Sequence, residues 1–263
     1  MKPYMKFSTT KYEGHESTIC DDIVTIESVL ELKLDDEFIA AFVCTPGQEK
    51  QLAIGYLLSS GIISSISDVE QVIYRNKLCN VTLKEGTTVR QGKGFSQIRR
   101  FVGTECSAPE MLQELRTGGD IPTIQISLDI PLKTLYETSA SLRDYQPIHQ
   151  KTRGTHAALL TKIPENLRVS AEDIGRHSAV DKAIGLAIES DVDLTKCFLF
   201  CTGRLTADVV SKAAWASIPL IASHSVATDA GVRYAKKANI TLLAGFRHKR
   251  FWQYHDGAGV IIH

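Results

Sequence analysis

The stretch "LRVSAEDIGRHSAVDKAIGLAIES", which runs from Leu167 to Ser190, decides the fold. Residues 167–173 predict a strand. The periodicity after them predicts a helix whose N-cap is Ser178, with Asp181 three residues later in a near capping box. The same order of apolar strand, polar turn and helix recurs in "CFLFCTGRLTADVVSKAAWAS" and "IPLIASHSVATDAGVRYAKKAN". Short apolar strands that alternate with helices indicate an α/β fold with a buried, largely parallel sheet.

The part of the chain before this region predicts a smaller α+β domain. Residues 1–18 are expected to form a loose tail, and residues 19–100 contain several predicted strands around one helix, in "GQEKQLAIGYLLSSGII". Periodicity then fails, and glycine, proline and charged residues predict a connecting loop over residues 101–125. Long connecting loops often carry function. Residues 126–263 would form the second, larger domain.

Composition excludes several classes of protein. The 263 residues carry 30 basic and 30 acidic side chains, so no overall charge draws the chain to nucleic acid or to an anionic membrane. No segment approaches the roughly 20 apolar residues that span a bilayer, and the N-terminus lacks the apolar run of a signal peptide. We therefore expect a cytoplasmic protein that binds neither nucleic acid nor membrane.

Three predicted strand ends lead into polar turns that contain glycine. Ligands of open α/β sheets bind outside the carboxyl ends of the strands, and a helix N-terminus offers free N–H groups to an anion. These turns therefore predict a site for an anionic, plausibly phosphorylated ligand, and arginine suits phosphate geometry. The alternative is that Ser178, Thr206 and Thr228 only cap helices. The candidate residues in the turns are Arg176, His177, Thr202, Gly203, Arg204, Ser223 and Thr228.

A basic turn follows the penultimate strand. It is "GFRHKRF", Gly245 to Phe251, in which Arg247, His248, Lys249 and Arg250 lie between Phe246 and Phe251. Such a turn can hold phosphates while its aromatic residues clamp a base, and arginine can contact a guanine edge with two hydrogen bonds. The alternative is a solvated hairpin tip.

A histidine lies in "GTHAALL", where His156 is followed by two alanines. Zinc-dependent deaminases carry H-x-E and P-C-x-x-C motifs, and this chain has Ala158 at the glutamate position and no P-C-x-x-C. The sequence therefore predicts no zinc site. His156 is either a ligand contact or a buried histidine that is bonded to backbone.

One cysteine differs from the others in its surroundings. Cys106 lies in the polar, irregular segment "VGTECSAPEM". An accessible loop thiol is where nucleophilic or carrier chemistry occurs, so Cys106 is the candidate reactive residue. Burial is expected for the cysteines in apolar strands, which are Cys44, Cys79, Cys197 and Cys201. Cys20 is near the N-terminus and is the likeliest competitor of Cys106 for a thiol reagent.

Five motifs of the second half resemble the FdhD family of sulfur carrier proteins, which formate dehydrogenase requires. They are "RGTHAALL", "EDIGRHSAVDK", "TGRLTADVVSKAA", "SHSVATDAGVRYA" and "ITLLAGFRHKRFWQYH". The resemblance implies a protein that takes sulfur from a cysteine desulfurase and passes it to the bis-molybdopterin guanine dinucleotide form of the molybdenum cofactor. The sulfurated cofactor would then enter the catalytic subunit of formate dehydrogenase.

The resemblance also implies further properties. Cys106 would carry the sulfur as a persulfide. The second domain would have a cytidine-deaminase-like, three-layer fold without zinc, and its turns would hold the guanine and phosphate groups. Phe246 to Phe251 matches a cofactor-binding segment of the family, and a homodimer is expected.

The resemblance departs from the family pattern at the sulfur-carrying loop. The family usually has C-G-x-C-G there, whereas this chain has Pro109 at the place of the second cysteine. The alternative hypothesis is therefore a chaperone that binds the cofactor and does not transfer sulfur. Within the charged turn, Arg176 and His177 are the expected ligand contacts. The expected supports are Glu172, Asp173, Asp181 and Lys182.

Overall fold

A computed structural model describes residues 2–87, 89, 100–102, 121–257 and 259–263. Cys106 and Pro109 lie outside the described residues. The chain begins with a hairpin of two ten-residue strands, β1 (Tyr4–Glu13) and β2 (Glu16–Thr25), around a two-residue turn in which Gly14 has a φ of 64°. The loose tail predicted for residues 1–18 is therefore wrong. The two strands are mostly exposed, so they lack the apolar alternation that identifies a strand.

A five-stranded sheet and one helix form the first part of the fold. The strands are β3 (Ser28–Leu34), β4 (Glu37–Cys44), β5 (Val69–Arg75), β6 (Leu78–Leu83) and β7 (Arg100–Val102), in the order β5-β6-β3-β4-β7. Helix α1 (Glu49–Ser59) packs against the face that carries the buried side chains of Leu30, Leu32 and Leu34. This mixture of a sheet and a helix agrees with the predicted α+β unit.

The second part contains a six-stranded sheet with the order β10-β9-β11-β12-β13-β14. The strands are β9 (His156–Lys162), β10 (Leu167–Asp173), β11 (Cys197–Cys201), β12 (Leu220–Ser223), β13 (Thr241–Arg247) and β14 (Arg250–His255). The β11–β12 and β12–β13 pairs are parallel, and the other three pairs are antiparallel. The sheet is mixed, so the largely parallel sheet that we predicted is wrong. Short turns join β9 to β10 and β13 to β14, and such turns connect only antiparallel neighbours.

Helices cover both faces of this sheet. On one face are α4 (Arg176–Glu189), α5 (Ala207–Trp215) and α6 (Asp229–Ala238), each of which follows a strand. On the other face lies α2 (Leu132–Ser141), which a short helix, α3 (Pro147–Thr152), follows along the chain. The paired strands β8 (Leu128–Ile130) and β15 (Val260–Ile262) complete this face. The cytidine-deaminase-like description of this domain stays a prediction, as do the domain boundaries.

The two parts share one hydrophobic core, because α1 packs directly on α4. A Cβ atom at Gly55 would lie 1.8 Å from the backbone oxygen of Asp181, and one at Gly185 would lie 2.0 Å from that of Gln51. Only glycine allows two helix backbones to approach this closely. Helix α4 is therefore fixed in position along its length.

Candidate functional site

Helix α4 begins earlier than its sequence predicts. Its N-cap is Gly175, with an extended backbone (φ −93°, ψ 125°), and Arg176 is its first residue. The N-cap predicted at Ser178 is therefore wrong, and Ser178 is a buried residue of the first turn. Asp173 explains the difference, because its carboxylate accepts the N–H of Gly175 at 2.9 Å and ends strand β10 there.

Glu172 anchors the segment before strand β9. Its carboxylate accepts hydrogen bonds from the backbone N–H groups of Ile148 (2.8 Å) and His149 (2.7 Å), in the first turn of α3, and from the hydroxyl of Thr155 (2.8 Å). The residue that follows Thr155 in the chain is His156. Glu172 therefore fixes the approach of the chain to one of the candidate site residues.

Asp173 and Lys182 form a buried ion pair beneath the charged turn. Their Oδ2 and Nζ atoms are 2.7 Å apart, and the two side chains are 0% and 1% exposed. Both groups also bond to Thr45 of the first part of the chain. Its N–H donates to Asp173 at 3.0 Å, and its carbonyl accepts from Lys182 at 2.7 Å. This pair joins the charged turn to the first part of the fold.

A second buried pair involves Asp181, the residue before Lys182 in α4. Both carboxylate oxygens of Asp181 accept from Lys212 Nζ of α5 at 2.8 Å, and Ser59 of α1 donates to Oδ1 at 2.6 Å. The charged residues Glu172, Asp173, Asp181 and Lys182 thus hold the turn in place, as we predicted. The remaining ionisable groups of the turn are those of Arg176 and His177.

His177 is buried and neutral. Burial, followed by the positive charges of Lys212 and Arg176, lowers the pKa of its imidazole to about 3. Its Nε2 atom lies 3.7 Å from Asp208 Oδ2, which is longer than a hydrogen bond, and within the described residues it has no hydrogen-bond partner. Asp208 therefore joins the group of candidate residues, although no motif in the sequence pointed to it.

Arg176 and Arg204 bring positive charge to the start of strand β9. His156 lies there, and burial, followed by the charges of Arg176, His149 and Arg204, lowers the pKa of its imidazole. Its Nδ1 atom is 3.2 Å from the hydroxyl oxygen of Thr202, which also accepts the N–H of Ala157 at 3.0 Å. Strand β9 runs antiparallel to β11, so its first residue meets the carboxyl end of β11 at the same edge of the sheet. Arg176 and Arg204 place two positive charges near this edge.

The other hydroxyl residues of the turns have different roles. Ser223 is fully buried, and its hydroxyl bonds to the carbonyl oxygens of Cys201 (3.0 Å) and Gly203 (2.6 Å), so it supports the turns from below. Thr228 is the N-cap of α6, and its hydroxyl oxygen accepts the N–H of Gly231 at 3.1 Å. It therefore caps a helix, as the alternative to a ligand contact predicted. Thr206 is at the N-cap position of α5, and its buried Oγ1 has no hydrogen-bond partner among the described residues.

The basic turn connects β13 to β14 and is exposed. Arg247 is folded back, because its Nη1 donates to the carbonyl oxygens of His224 (2.5 Å) and Phe246 (2.7 Å). His248 has a φ of 55°, and the carbonyl of Lys249 accepts from the hydroxyl of Tyr136 at 3.2 Å. The guanidinium of Arg250 lies 5.1 Å from the centre of the Trp252 ring.

The aromatic residues around this turn differ from the clamp that we predicted. Phe246 is 1% exposed, and its ring stacks on that of Phe251 with a centroid distance of 4.5 Å. A base cannot reach a buried ring, so Phe246 belongs to the core. Trp252 is 50% exposed and supports Arg250, and the sequence analysis missed it. Its position next to the basic turn was the available signal.

The strand cysteines are buried, as we predicted. Burial raises the pKa of Cys44, Cys197 and Cys201 to about 12 and that of Cys79 to about 11, so each is a thiol at neutral pH. Cys20 on β2 is half-buried. Thiolate chemistry at neutral pH is therefore unfavourable at the four strand positions.

Within the described ranges, three or more histidine, cysteine, aspartate or glutamate side chains do not gather as a metal site would require. In the same residues, every helix is too short or too polar to cross a membrane.

Comparison with known proteins gives consistent similarities. The model of the FdhD/NarQ family matches residues 25–261. The chain is 30% identical to sulfur carrier protein FdhD of Anaeromyxobacter dehalogenans, over 90% of this chain and 88% of that protein. It is 28% identical to sulfur carrier protein FdhD of Saccharolobus solfataricus, over 93% of each. Its fold is similar to that of a putative formate dehydrogenase accessory protein from Desulfotalea psychrophila, with a TM-score of 0.77 and 21% identity. The match covers 99% of this chain and 100% of that protein.

Proposed function

Because this chain belongs to the FdhD/NarQ family, we propose that it is a sulfur carrier protein that serves formate dehydrogenase. Its relatives in Anaeromyxobacter and Saccharolobus are named sulfur carrier proteins, and they align with the chain over most of its length. The proposed substrate is the molybdenum cofactor in its bis-molybdopterin guanine dinucleotide form. A cysteine desulfurase would supply the sulfur, and the catalytic subunit of formate dehydrogenase would receive the cofactor. The protein would act in the cytoplasm as a homodimer.

The observation that carries the proposal is the positive edge of the six-stranded sheet. Arg176, in the first turn of α4, and the exposed Arg204, in the turn after β11, both lie close enough to His156 for their charges to help burial lower the pKa of its imidazole. Arginine binds phosphate with two parallel hydrogen bonds, so this edge suits the diphosphate of a nucleotide. His177 and Thr202 would border the same ligand. On the basic turn, Arg250 on Trp252 would contact the guanine, together with His248, Lys249 and Phe251.

The sulfur-transfer step of the proposal needs one accessible thiolate, for which we propose Cys106. This thiolate attacks the terminal sulfur of the desulfurase persulfide, so that a new S–S bond forms at Cys106. The S–S bond of the desulfurase breaks, and its cysteine leaves as a thiolate. Release of the carried sulfur as sulfide takes two electrons, which a thiol reductant supplies by becoming a disulfide. Cys106 is then a thiol again.

One feature favours the second candidate function, a cofactor-binding chaperone that does not transfer sulfur. Pro109 replaces the second cysteine of the family pattern, so a disulfide within the loop cannot form to release the persulfide. Both functions require binding of a guanine nucleotide, and only the carrier gains a sulfane sulfur. Calorimetry with GDP tests the shared part of the two proposals. Micromolar or tighter binding supports a nucleotide site, and absence of heat at millimolar GDP contradicts it.

We expect replacement of Arg250 by alanine to weaken GDP binding about tenfold or more. A hydrogen bond to a charged group contributes roughly 1.5–3 kcal/mol, and 1.4 kcal/mol corresponds to a factor of about ten. Isothermal titration calorimetry measures the change. Arg75→Ala, at an exposed arginine on the edge strand β5, is the matched control and should bind GDP as the wild type does. Equal affinity of Arg250→Ala and the wild type would remove Arg250 from the site.

Arg176→Lys should also weaken GDP binding, although it preserves the charge. Lysine lacks the planar fork that binds phosphate through two parallel hydrogen bonds. The melting temperature should change little, because Arg176 is only partly buried in the first turn of α4. Calorimetry and thermal unfolding on the same samples separate the two effects. Normal affinity together with a much lower melting temperature would show that Arg176 is a structural residue.

A further inference from the structure

Gly203 lies directly against the side chain of Arg176. A Cβ atom at Gly203 would be 2.9 Å from Cβ of Arg176, 3.2 Å from its Cδ and 3.6 Å from its Cγ. The aliphatic stem of Arg176 therefore lies across the α-carbon of Gly203. Contacts below about 3.0 Å are not tolerated between carbon atoms, so any side chain at position 203 requires one of the two turns, or the arginine, to move.

The turn that contains Gly203 is held in place. The carbonyl oxygen of Gly203 accepts the hydroxyl of Ser223 at 2.6 Å, and Ser223 is fully buried. The preceding residue, Thr202, accepts the N–H of Ala157 of strand β9 at 3.0 Å and donates its own N–H to the carbonyl of Ala157 at 3.1 Å. Movement of this turn would break hydrogen bonds on both sides of Gly203.

The backbone of Arg176 is also held in place. It belongs to the first turn of α4. Further along this helix, the backbones of α4 and α1 are in contact at Gly55 of α1 and Gly185 of α4. Below it, Asp173 accepts the N–H of Gly175 and pairs with Lys182. Rotation about the side-chain bonds of Arg176 moves its Cγ and Cδ but not its Cβ, so a side chain at position 203 displaces the arginine stem and also requires a small shift of one of the two turns.

We propose that Gly203 is a positioning residue. With its carbonyl oxygen bonded to Ser223, it sets where the Arg176 guanidinium lies at the positive edge of the six-stranded sheet. This inference rests on the proposed function, in which Arg176 contacts an anionic ligand. It assigns Gly203 and Ser223 no contact of their own with the nucleotide. They act through Arg176.

A positioning role and a direct contact differ in how their effects combine with the loss of Arg176. If Gly203 acts through Arg176, a substitution at Gly203 has no effect on binding once the guanidinium is gone. If its backbone bonds to the ligand, the two effects add, because independent contributions add within about 0.3–0.5 kcal/mol. A double-mutant cycle on GDP affinity separates the two roles.

We expect Gly203→Ala to weaken GDP binding about tenfold, as Arg176→Ala does, because a charged hydrogen bond is lost in both. In the Arg176→Ala background, Gly203→Ala should change the affinity by about twofold at most. Ser223→Ala, measured in the same two backgrounds, should also weaken binding only when Arg176 is present. This second variant keeps the test decisive if Gly203→Ala does not fold.

Gly257→Ala is the matched control. A Cβ atom there would lie 2.6 Å from the carbonyl oxygen of Asn239 and 2.7 Å from the N atom of Thr241, at the opposite end of β13 from the basic turn. It should lower the melting temperature and leave the GDP affinity unchanged. Additive effects of Gly203→Ala or Ser223→Ala and Arg176→Ala would overturn the inference. The inference would also be overturned if Arg176→Ala bound GDP more weakly than the wild type while the single variants Gly203→Ala and Ser223→Ala bound it with unchanged affinity. Absence of GDP binding by the wild type would instead contradict the proposed function.

Discussion

Replacing Cys106 by alanine should abolish the acquisition of sulfane sulfur by this protein and the activation of formate dehydrogenase that depends on it. The cysteines in the five-stranded and six-stranded sheets cannot readily replace Cys106 as the sulfur carrier. Cys44 and Cys201 are buried, and burial raises the pKa of each to about 12, so the thiolate that attacks a persulfide is almost absent at neutral pH. Cys106 is not one of the proposed nucleotide contacts. GDP affinity and melting temperature should therefore stay near those of the wild type.

The matched control for this prediction is Cys20→Ala. Cys20 is half-buried on the exposed hairpin, so it is the most accessible of the cysteines that the structure describes. The variant should acquire sulfur and activate the dehydrogenase as the wild type does. A Cys106→Ala protein that still gains sulfane sulfur and still activates formate dehydrogenase would rule out Cys106 as the carrier. A Cys106→Ala protein that activates the dehydrogenase without gaining sulfur would favour the chaperone.

Replacing Lys182 by methionine should be the most destabilising single change in the charged turn. The substitution keeps most of the side-chain volume and removes the charge that faces Asp173, which is 0% exposed. Removal of one partner of a buried ion pair costs about 3–5 kcal/mol, because the other charge stays buried. Whole domains are stable by about 5–15 kcal/mol, so this change removes a large fraction of the total. Unfolding in urea, followed by circular dichroism, measures the loss.

Two variants make this stability test specific. Lys236→Met, on the exposed face of α6, should have a free energy of unfolding within about 0.5 kcal/mol of that of the wild type. The double variant with Asp173→Asn and Lys182→Met should recover part of the stability, because the amide carries no charge and its single oxygen can still accept one of the two N–H groups, of Thr45 or of Gly175, that bond to different oxygens of Asp173. A Lys182→Met protein as stable as the Lys236→Met control would show that the pair does not hold the turn. If Lys182→Met does not fold, recovery in the double variant decides the question.

The sequence predicts the second part of the fold better than the first. Strand β10, the turn and helix α4 have strong local signals, because a short strand, a turn with charged residues and a helical segment rich in small apolar residues follow one another directly in the chain. The ion pairs of this region are also local in part, since Asp173 and Lys182 are nine positions apart. The exposed hairpin β1–β2 has no such pattern, and it was missed.

Contacts between distant segments could not be predicted from the sequence. Thr45 meets Asp173 across 128 positions, and no periodicity or motif indicates that pairing. The same is true of the contact between Gly203 and Arg176, which depends on how two strands are placed side by side. The burial of Phe246 was missed for a related reason, because the residues that follow it in the sequence are basic, whereas its neighbours in space are Phe200 and Phe251.

The central claim, sulfur carriage on one loop cysteine, is tested most directly by mass spectrometry of the wild-type protein after incubation with a cysteine desulfurase and cysteine. The account predicts one added sulfur atom per chain, on the peptide that contains Cys106, and its removal by a thiol reductant. The peptides that contain Cys20, Cys44 or Cys201 should be unmodified. An unmodified Cys106 peptide under these conditions, or an added sulfur on another cysteine alone, would contradict the account.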